Sequence, residues 1–287
     1  MPETNDIPAR AGFVRAYPPA VAAPGEAIHL PIRSGDLLMR EEGGDLALLR
    51  AESAAAPDGA LYLGTLGGVP CLAYPASPDN DGVLTPVGLR SLYGRVSDDE
   101  YALAGYAGQM LHWRTISRFC PRCGQATEDA GENTWARRCP ACGYSHYPPV
   151  SPAVLILVHD GAGRILLCHK PGWGDRYSIL AGFVEPGESL EGCVAREAEE
   201  EVGLPVTEIA YRGSQPWPFP HQVMIGFTAR CPDPSLPFAL DEAELDDARW
   251  FTVDDLPELP GPLSLSRQLI DAWVAEQREG RGRPDGG

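Results

Sequence analysis

The chain has 287 residues, 44% of them hydrophobic and 22% charged, a globular composition that excludes disorder over most of its length. Its 40 Asp and Glu outweigh 23 Lys and Arg, for a net charge of −17. That balance speaks against broad binding to duplex nucleic acid, which depends on cationic contacts to phosphate, and favours acidic clusters that take a divalent cation.

The N-terminal MPETNDIPAR is polar and acid-bearing, with no basic stretch leading into an apolar core. No secretory signal is read there, and the expected location is cytoplasmic. Residues 1–115 read as one β-rich domain. Short apolar runs at 45–49, 60–63 and 69–74 are separated by Gly43-Gly44, Pro57-Asp58-Gly59, Gly67-Gly68 and Pro78-Asp79-Asn80, residues of tight turns. A helix is predicted over 98–113, capped at Ser97-Asp98. No catalytic constellation falls in this region, and packing or dimerisation is its expected role.

Residues 116–147 hold four of the eight cysteines. Over 148–277 strand and helix signals alternate. Strands are predicted at 154–158 and 165–168 around the turn Asp160-Gly161-Ala162-Gly163, and a third at 178–184. A helix follows over 190–202, where Leu190, Val194, Ala198 and Val202 recur at four-residue steps. Gly203 and Pro205 end it. Further strands are predicted at 206–211 and 223–229, then a closing amphipathic helix at 265–274. Residues 278–287 read as a flexible tail. The longest strongly apolar run, 153–158, is far below the about 20 residues of a membrane span, so no membrane partner is expected.

Cys120-Pro-Arg-Cys123 and Cys139-Pro-Ala-Cys142 are two CxxC pairs, 15 residues apart, each followed by glycine. Two residues between thiolates turn both sulfurs inward on one tight loop, and two such loops make the closed tetrahedral sulfur set that one structural zinc ion favours. A pair of disulfides or a redox motif is the alternative; without a secretory signal, zinc is the stronger reading. Cys71, Cys168, Cys193 and Cys231 show no pairing pattern and are expected to be buried free thiols.

The densest chemistry lies in GFVEPGESLEGCVAREAEEEVGL, residues 182–204, with seven glutamates in 23 residues. On the predicted helix Glu197, Glu200 and Glu201 fall at i, i+3 and i+4 and project from one face. Like charges stacked in this way repel, and a hard cation such as Mg²⁺ or Mn²⁺ removes the penalty. Arg196 and Glu188, eight apart, are placed to pair across the junction of loop and helix.

The order of residues here matches the Nudix box: Gly182, Glu188, Arg196, Glu197, Glu200, Glu201, Gly203 and Leu204 stand on its fixed positions. Downstream, Ser214-Gln215-Pro216-Trp217-Pro218-Phe219-Pro220 carries three prolines and two aromatics, a stiff and partly apolar wall suited to a flat base. With the four-cysteine module, residues 116–275 resemble the NADH pyrophosphatase branch of the Nudix hydrolases. The resemblance implies an α+β chain: an N-terminal β-rich domain, a zinc ribbon and a C-terminal Nudix α/β/α sandwich with a mixed sheet.

It also implies hydrolysis of the diphosphate of NADH or NAD⁺ to AMP and nicotinamide mononucleotide, with removal of NAD caps from RNA as a related activity, in a homodimer. Two or three Mg²⁺ or Mn²⁺ ions are implied at Glu197, Glu200 and Glu201, at the Ala181 carbonyl and at Glu244. Substrate-contacting positions are implied at Tyr147 and Phe183, along Gln215, Pro216, Trp217, Pro218, Phe219, Pro220, His221 and Gln222, and at the backbone of Ser266. Two residues depart from the family's pattern. Gln222 stands where it usually has Ser, and Thr134, before Trp135-Ala136, stands where it can have Glu; both bear on selectivity. Glu200 and Glu201 are both candidates for the general base. A Nudix hydrolase of another nucleoside diphosphate compound such as ADP-ribose is the alternative, as is a catalytically silent, nucleotide-sensing zinc-ribbon protein.

Overall fold

The computed structural model describes residues 12–77, 83–131 and 133–281, and the chain divides into two compact units, Met1–Pro149 and Val150–Gly287. The turn expected at Pro78-Asp79-Asn80 lies outside the described residues, as do the last six residues of the expected tail.

The first unit opens with eight strands: β1 (Phe13–Arg15), β2 (Glu26–Arg33), β3 (Asp36–Glu42), β4 (Asp45–Ala47), β5 (Leu49–Glu52), β6 (Leu61–Leu66), β7 (Val69–Pro75) and β8 (Thr85–Gly88). They form one sheet in the order β1-β6-β7-β2-β3-β4, with β5 also paired to β2 and β8 to β3. Only the β2–β7 pair is parallel. Gly43-Gly44 and Gly67-Gly68 all have positive φ, as two-residue hairpins require, and they join β3 to β4 and β6 to β7.

Helix α1 (Asp98–Ile116) begins in a capping box. The Ser97 hydroxyl accepts from Glu100 N, and Glu100 Oε2 accepts from Ser97 N. It runs three residues past the expected end, because Trp113 is a buried core residue rather than a terminus, and Ser117 Oγ closes the helix on the Trp113 carbonyl at 2.6 Å. Leu103, Ala107, Met110 and Trp113 pack against the sheet. The remainder of the unit carries the short strands β9 (Glu128–Asp129), β10 (Arg137–Arg138) and β11 (Ser145–His146), in the order β11-β10-β9.

The second unit holds β12 (Ser151–His159), β13 (Ile165–His169), β14 (Tyr177–Ser178), β15 (Leu180–Phe183), α2 (Leu190–Val202), β16 (Thr207–Trp217), β17 (Gln222–Arg230), β18 (Asp247–Phe251) and α3 (Leu265–Arg281). Its mixed sheet follows β14-β13-β12-β17-β16, with β15 on β12 and β18 on β13. β12 and β17 run parallel from Ser151↔Gln222 to His159↔Arg230. Val154, Ile156 and Val158 point into the core under α2, while Leu155 and Leu157 join the core under α3. That period of two, apolar on both faces, marks a strand covered on both sides and makes the unit an α/β/α sandwich.

In the second unit β18 lies where no strand is expected, and other elements differ in their limits. The strand expected at 178–184 is two, broken at Ile179. The strand expected to end at 211 continues through Trp217; β16 is the sheet's edge, where Pro216 takes a ladder position without a missing N–H being felt. Helix α3 runs to Arg281, so residues 278–281 are helix and not tail. Among the described residues no helix is long and apolar enough to cross a membrane.

Candidate active site and zinc centre

The four ribbon cysteines converge, with all ligand atoms within 4.8 Å of one another. Cys120–Cys142, Cys123–Cys139 and Cys123–Cys142 sulfurs stand 3.5–3.6 Å apart. A tetrahedron with Zn–S of about 2.3 Å has edges of about 3.8 Å, whereas a disulfide needs about 2.05 Å. The sulfurs therefore fit one zinc ion. Each knuckle closes through a backbone bond, Gly124 N to Cys120 O at 2.8 Å and Gly143 N to Cys139 O at 2.9 Å, and both glycines take positive φ. Cys71, Cys168, Cys193 and Cys231 are free and buried.

In the second unit the acidic helix is α2, with Ser189 Oγ accepting from Gly192 N at its start and Gly203 in the left-handed region at its end. Val194, Ala198 and Val202 are buried as their spacing requires, and Glu201 is buried with them, its side chain 3% exposed. Burial pushes the Glu201 carboxyl up to about 7, against the pull of Lys170. Burial also raises Glu197, against Arg196. Glu200 projects outward.

Arg196 and Glu188 pair as expected, and bidentately: Nε to Oε2 at 3.0 Å and Nη2 to Oε1 at 2.7 Å. The same guanidinium donates to Glu197 Oε1 and Glu200 Oε2, both at 2.8 Å, and to the Phe183 carbonyl at 3.0 Å. Glu188 Oε1 further accepts from Glu185 N at 2.6 Å. Arg196 thus ties the loop, the end of β15 and two helix carboxylates into one rigid piece, and holds Glu188 down at about 2.

Gly182 lies under Glu197. A Cβ built on Gly182 would sit 1.8–2.2 Å from the Glu197 carboxylate, so only glycine lets that side chain rest on the β15 backbone beside Ala181. Glu244 is brought in by the acidic loop: Asp241 N donates to the Glu201 carbonyl, and Glu244 N and Leu245 N both donate to the Asp241 carbonyl. Leu245 is fully buried and anchors the turn.

Lys170 completes the cluster, with Nζ 3.3 Å from Glu201 Oε1 and 3.1 Å from Glu244 Oε2. Burial pulls its pKa down, but the two carboxylates hold it above the ordinary lysine value. Nothing in the motifs marked this residue. The available signal was compositional, because Lys170 is the only lysine in the chain. The other oxygen of Glu201, Oε2, is buried and has no hydrogen-bond partner among the described residues. Burial apart, Glu244 and Glu197 both raise the Glu201 carboxyl by their charge, and an orphaned buried carboxylate oxygen near two further carboxylates fits a hard divalent cation.

The proline–aromatic stretch is built differently from a free wall. Gln215 spends both ends of its amide on the start of α3, Nε2 to the Leu263 carbonyl and Oε1 from Leu265 N, each at 2.8 Å. That places it next to the buried Ser266, whose Oγ donates to Ser264 Oγ. Trp217 pairs with Gln222 across the hairpin, and the Trp217 and Phe219 rings meet edge-on at 5.0 Å. Pro218 and Pro220 flank Phe219 in the turn, and the His221 carbonyl accepts from Ser151 N. The register puts Phe183, Ala153, Met224 and Gln215 in one row across β15, β12, β17 and β16. Three strand spacings of about 4.8 Å separate its ends by about 14 Å. Phe183 is exposed at the end of that row; Tyr147, also exposed, belongs to the first unit.

Three family descriptions match the chain: NUDIX domain over residues 149–273, NADH pyrophosphatase-like rudimentary NUDIX domain over 26–113, and NADH pyrophosphatase zinc ribbon domain over 117–147. A Deinococcus radiodurans protein called NAD-capped RNA hydrolase NudC is 39% identical over 262 residues, covering 90% of this chain and 91% of its own length. Proteins of the same name from Stutzerimonas stutzeri and Mycobacterium bovis are 45% and 41% identical, over 69% of this chain and 70% and 68% of theirs. On sequence, zinc ribbon and acidic helix together, the chain belongs to the NADH pyrophosphatase branch of the Nudix hydrolase family.

Proposed function

We propose that the chain hydrolyses the diphosphate bond of NAD(H), releasing AMP and nicotinamide mononucleotide, with Glu197, Glu200, Glu201 and Glu244 as the carboxylates that hold Mg²⁺ or Mn²⁺. The observation that carries this reading is Glu201: a carboxylate buried in the core under α2, with one oxygen unpartnered and its proton affinity raised to about 7. A solvated acidic helix face has no such member. Two or three divalent cations bound there supply neutralisation of the diphosphate charge and acidify water.

The chain's own residues then divide the work. Glu201 accepts a proton from the attacking water, for which its buried and unpartnered Oε2 is placed. Arg196 fixes Glu188, Glu197 and Glu200 in register. The row from Phe183 to Gln215 spans a length appropriate to a dinucleotide, with Phe183 and the Trp217–Phe219 pair offering ring faces to its bases and Pro216, Pro218, Pro220, His221 and Gln222 shaping the turn around them. Ser266 offers its backbone, held in place by Gln215.

The relatives' names favour a second substrate of the same chemistry, the NAD cap at an RNA 5′ end. It presents the same diphosphate and nicotinamide end. The division into 1–115, 116–147 and 148–277 assigns packing and dimerisation to the first segment, a structural zinc to the second and catalysis to the third. Free buried thiols beside a four-sulfur site fit a reducing compartment, and we place the reaction in the cytoplasm of the cell as a homodimer.

The test is chromatography of products after incubation with NADH, and separately with NAD-capped RNA, with Mg²⁺, with Mn²⁺ and with chelator. AMP and reduced mononucleotide appearing only with metal is the expected result. Turnover of ADP-ribose with NADH untouched would transfer the assignment to another Nudix substrate, and nucleotide binding without any turnover would make the chain a sensor.

A further inference from the structure

Of 23 basic Lys and Arg side chains only Lys170 is a lysine. Arginine does every other cationic task, including the forked grip of Arg196 on Glu188. One compact ammonium reaches two carboxylates on separate elements, Glu201 on α2 and Glu244 on the acidic loop, from a single nitrogen. Its backbone is fixed for this: Asp246 N donates to the carbonyl of His169, so the loop carrying Glu244 is tied to the residue preceding Lys170. The His169 ring pins the same junction through Asp246 and the Gly174 carbonyl. The Lys170 side chain is 26% exposed, which leaves the ammonium a way out toward solvent.

An ammonium on Glu201 Oε1 and Glu244 Oε2 would repel a dication held at the other Glu201 oxygen, a few ångströms away. We infer that Lys170 is a positioning residue of the reaction centre, an internal counter-cation that holds Glu201 and Glu244 together and would weaken the hold of these two carboxylates on a divalent ion. A divalent ion would then bind weakly to the free protein and better together with a diphosphate, whose oxygens would offer a partner to both the ion and the ammonium. The inference rests on the acidic cluster being the metal site.

The single lysine gives a direct readout in the full chain. With ¹³C-lysine labelling there is one Cε signal, and Mg²⁺ titration is expected to shift it, with the midpoint that calorimetry gives for Mg²⁺ binding. K170M is expected to bind Mg²⁺ about tenfold more tightly than the parent in the absence of nucleotide, since a like charge a few ångströms away is gone. K170R, which keeps the charge, stays near the parent. The gap between K170M and the parent narrows when a methylene-bridged NAD analogue, which cannot be hydrolysed, is present. Thermal melts of both variants check that they fold. An unmoved Cε signal at saturating Mg²⁺, or a K170M affinity equal to or below the parent's, overturns the assignment of Lys170 alone. Absence of Mg²⁺ binding in every protein overturns the metal reading as well.

Discussion

Helices α1 and α2 each back a sheet built on one parallel strand pair, β2 with β7 and β12 with β17, and both carry clustered acids. The clusters sit at opposite ends. In α1, Asp98, Asp99 and Glu100 occupy the first turn, where the positive end of the helix dipole and the capping box welcome them. In α2, Glu199, Glu200 and Glu201 occupy the last turn, with no basic residue there, against the dipole and against one another. The inward face of α1 is apolar through Leu103, Ala107, Met110 and Trp113, while that of α2 includes Glu201. Acids that stabilise a helix are architecture; acids that cost it stability, one of them buried, are chemistry. The first unit matches a rudimentary form of the same domain, and it has kept the plan without the costly carboxylates.

The largest effect that this contrast predicts is on turnover. Glu201→Gln is expected to lower kcat by roughly 10²–10⁴, the span of general acid–base catalysis, while its melting temperature stays equal or rises because a buried charge is removed. Asp98→Asn in α1 should leave kcat unchanged. A Glu201→Gln enzyme with near-normal turnover would end the distinction between the two helices.

Gly182→Ala comes next. The new Cβ would overlap the Glu197 carboxylate, so either the side chain or β15 must shift. A displacement of about 1 Å in such a centre costs about 10²-fold in rate. Steady-state kinetics should show the loss in kcat, and calorimetry a weaker Mg²⁺ affinity. Preserved kcat would mean that Glu197 works from another position.

Ser97→Ala tests the other helix. Losing the cap is expected to cost about 1 kcal/mol, read by denaturant titration, with NADH hydrolysis unaffected. A change in kcat at constant stability would give α1 a part in the chemistry that its acids, placed for capping, do not suggest.

Much of this was legible in the residue order, for physical reasons that differ by element. Helix α2 is legible to the residue because a four-residue apolar period and the stop at Gly203 and Pro205 agree on its limits, and the structure adds a cap at Ser189. The two CxxC spacings pointed to the zinc set and left a pair of disulfides as the alternative, which the sulfur separations of 3.5–3.6 Å exclude. The sheet's edge was not legible: β16 runs six residues past its apolar run because Pro216 and the polar residues around it face no further strand, and pattern alone cannot say which strand is outermost. Gln215, which the resemblance implies at the substrate, is also bonded to the start of α3, a tertiary partner 50 residues away that no local pattern announces. Lys170 was hidden for the same reason, as its two carboxylates lie 31 and 74 residues further along the chain.

The smallest effect concerns the lock that keeps the α2 carboxylates in register. The Arg196 bonds to Glu188, helped by Glu185 N, hold the Glu188 carboxyl at about 2, below its ordinary 4.5. A carboxyl lowered on folding contributes stability that is fully present above its unfolded value and is lost as pH falls through its folded one. The melting temperature of Glu188→Gln should therefore lie below that of the parent by a constant margin from neutrality down to pH about 4.5, and the two should converge toward pH about 2. An amide keeps one acceptor for the fork but not the charge, so the margin is modest, and Arg196, still bonded to Glu197 and Glu200, keeps α2 in place. Acids in α1 such as Asp98, used for the helix dipole rather than a forked ion pair, should show a margin that salt screens readily. Parallel melts across pH and ionic strength separate the two: a Glu188 margin that persists at pH 2, or that is absent at neutrality, would show that the lock is held by shape rather than by charge.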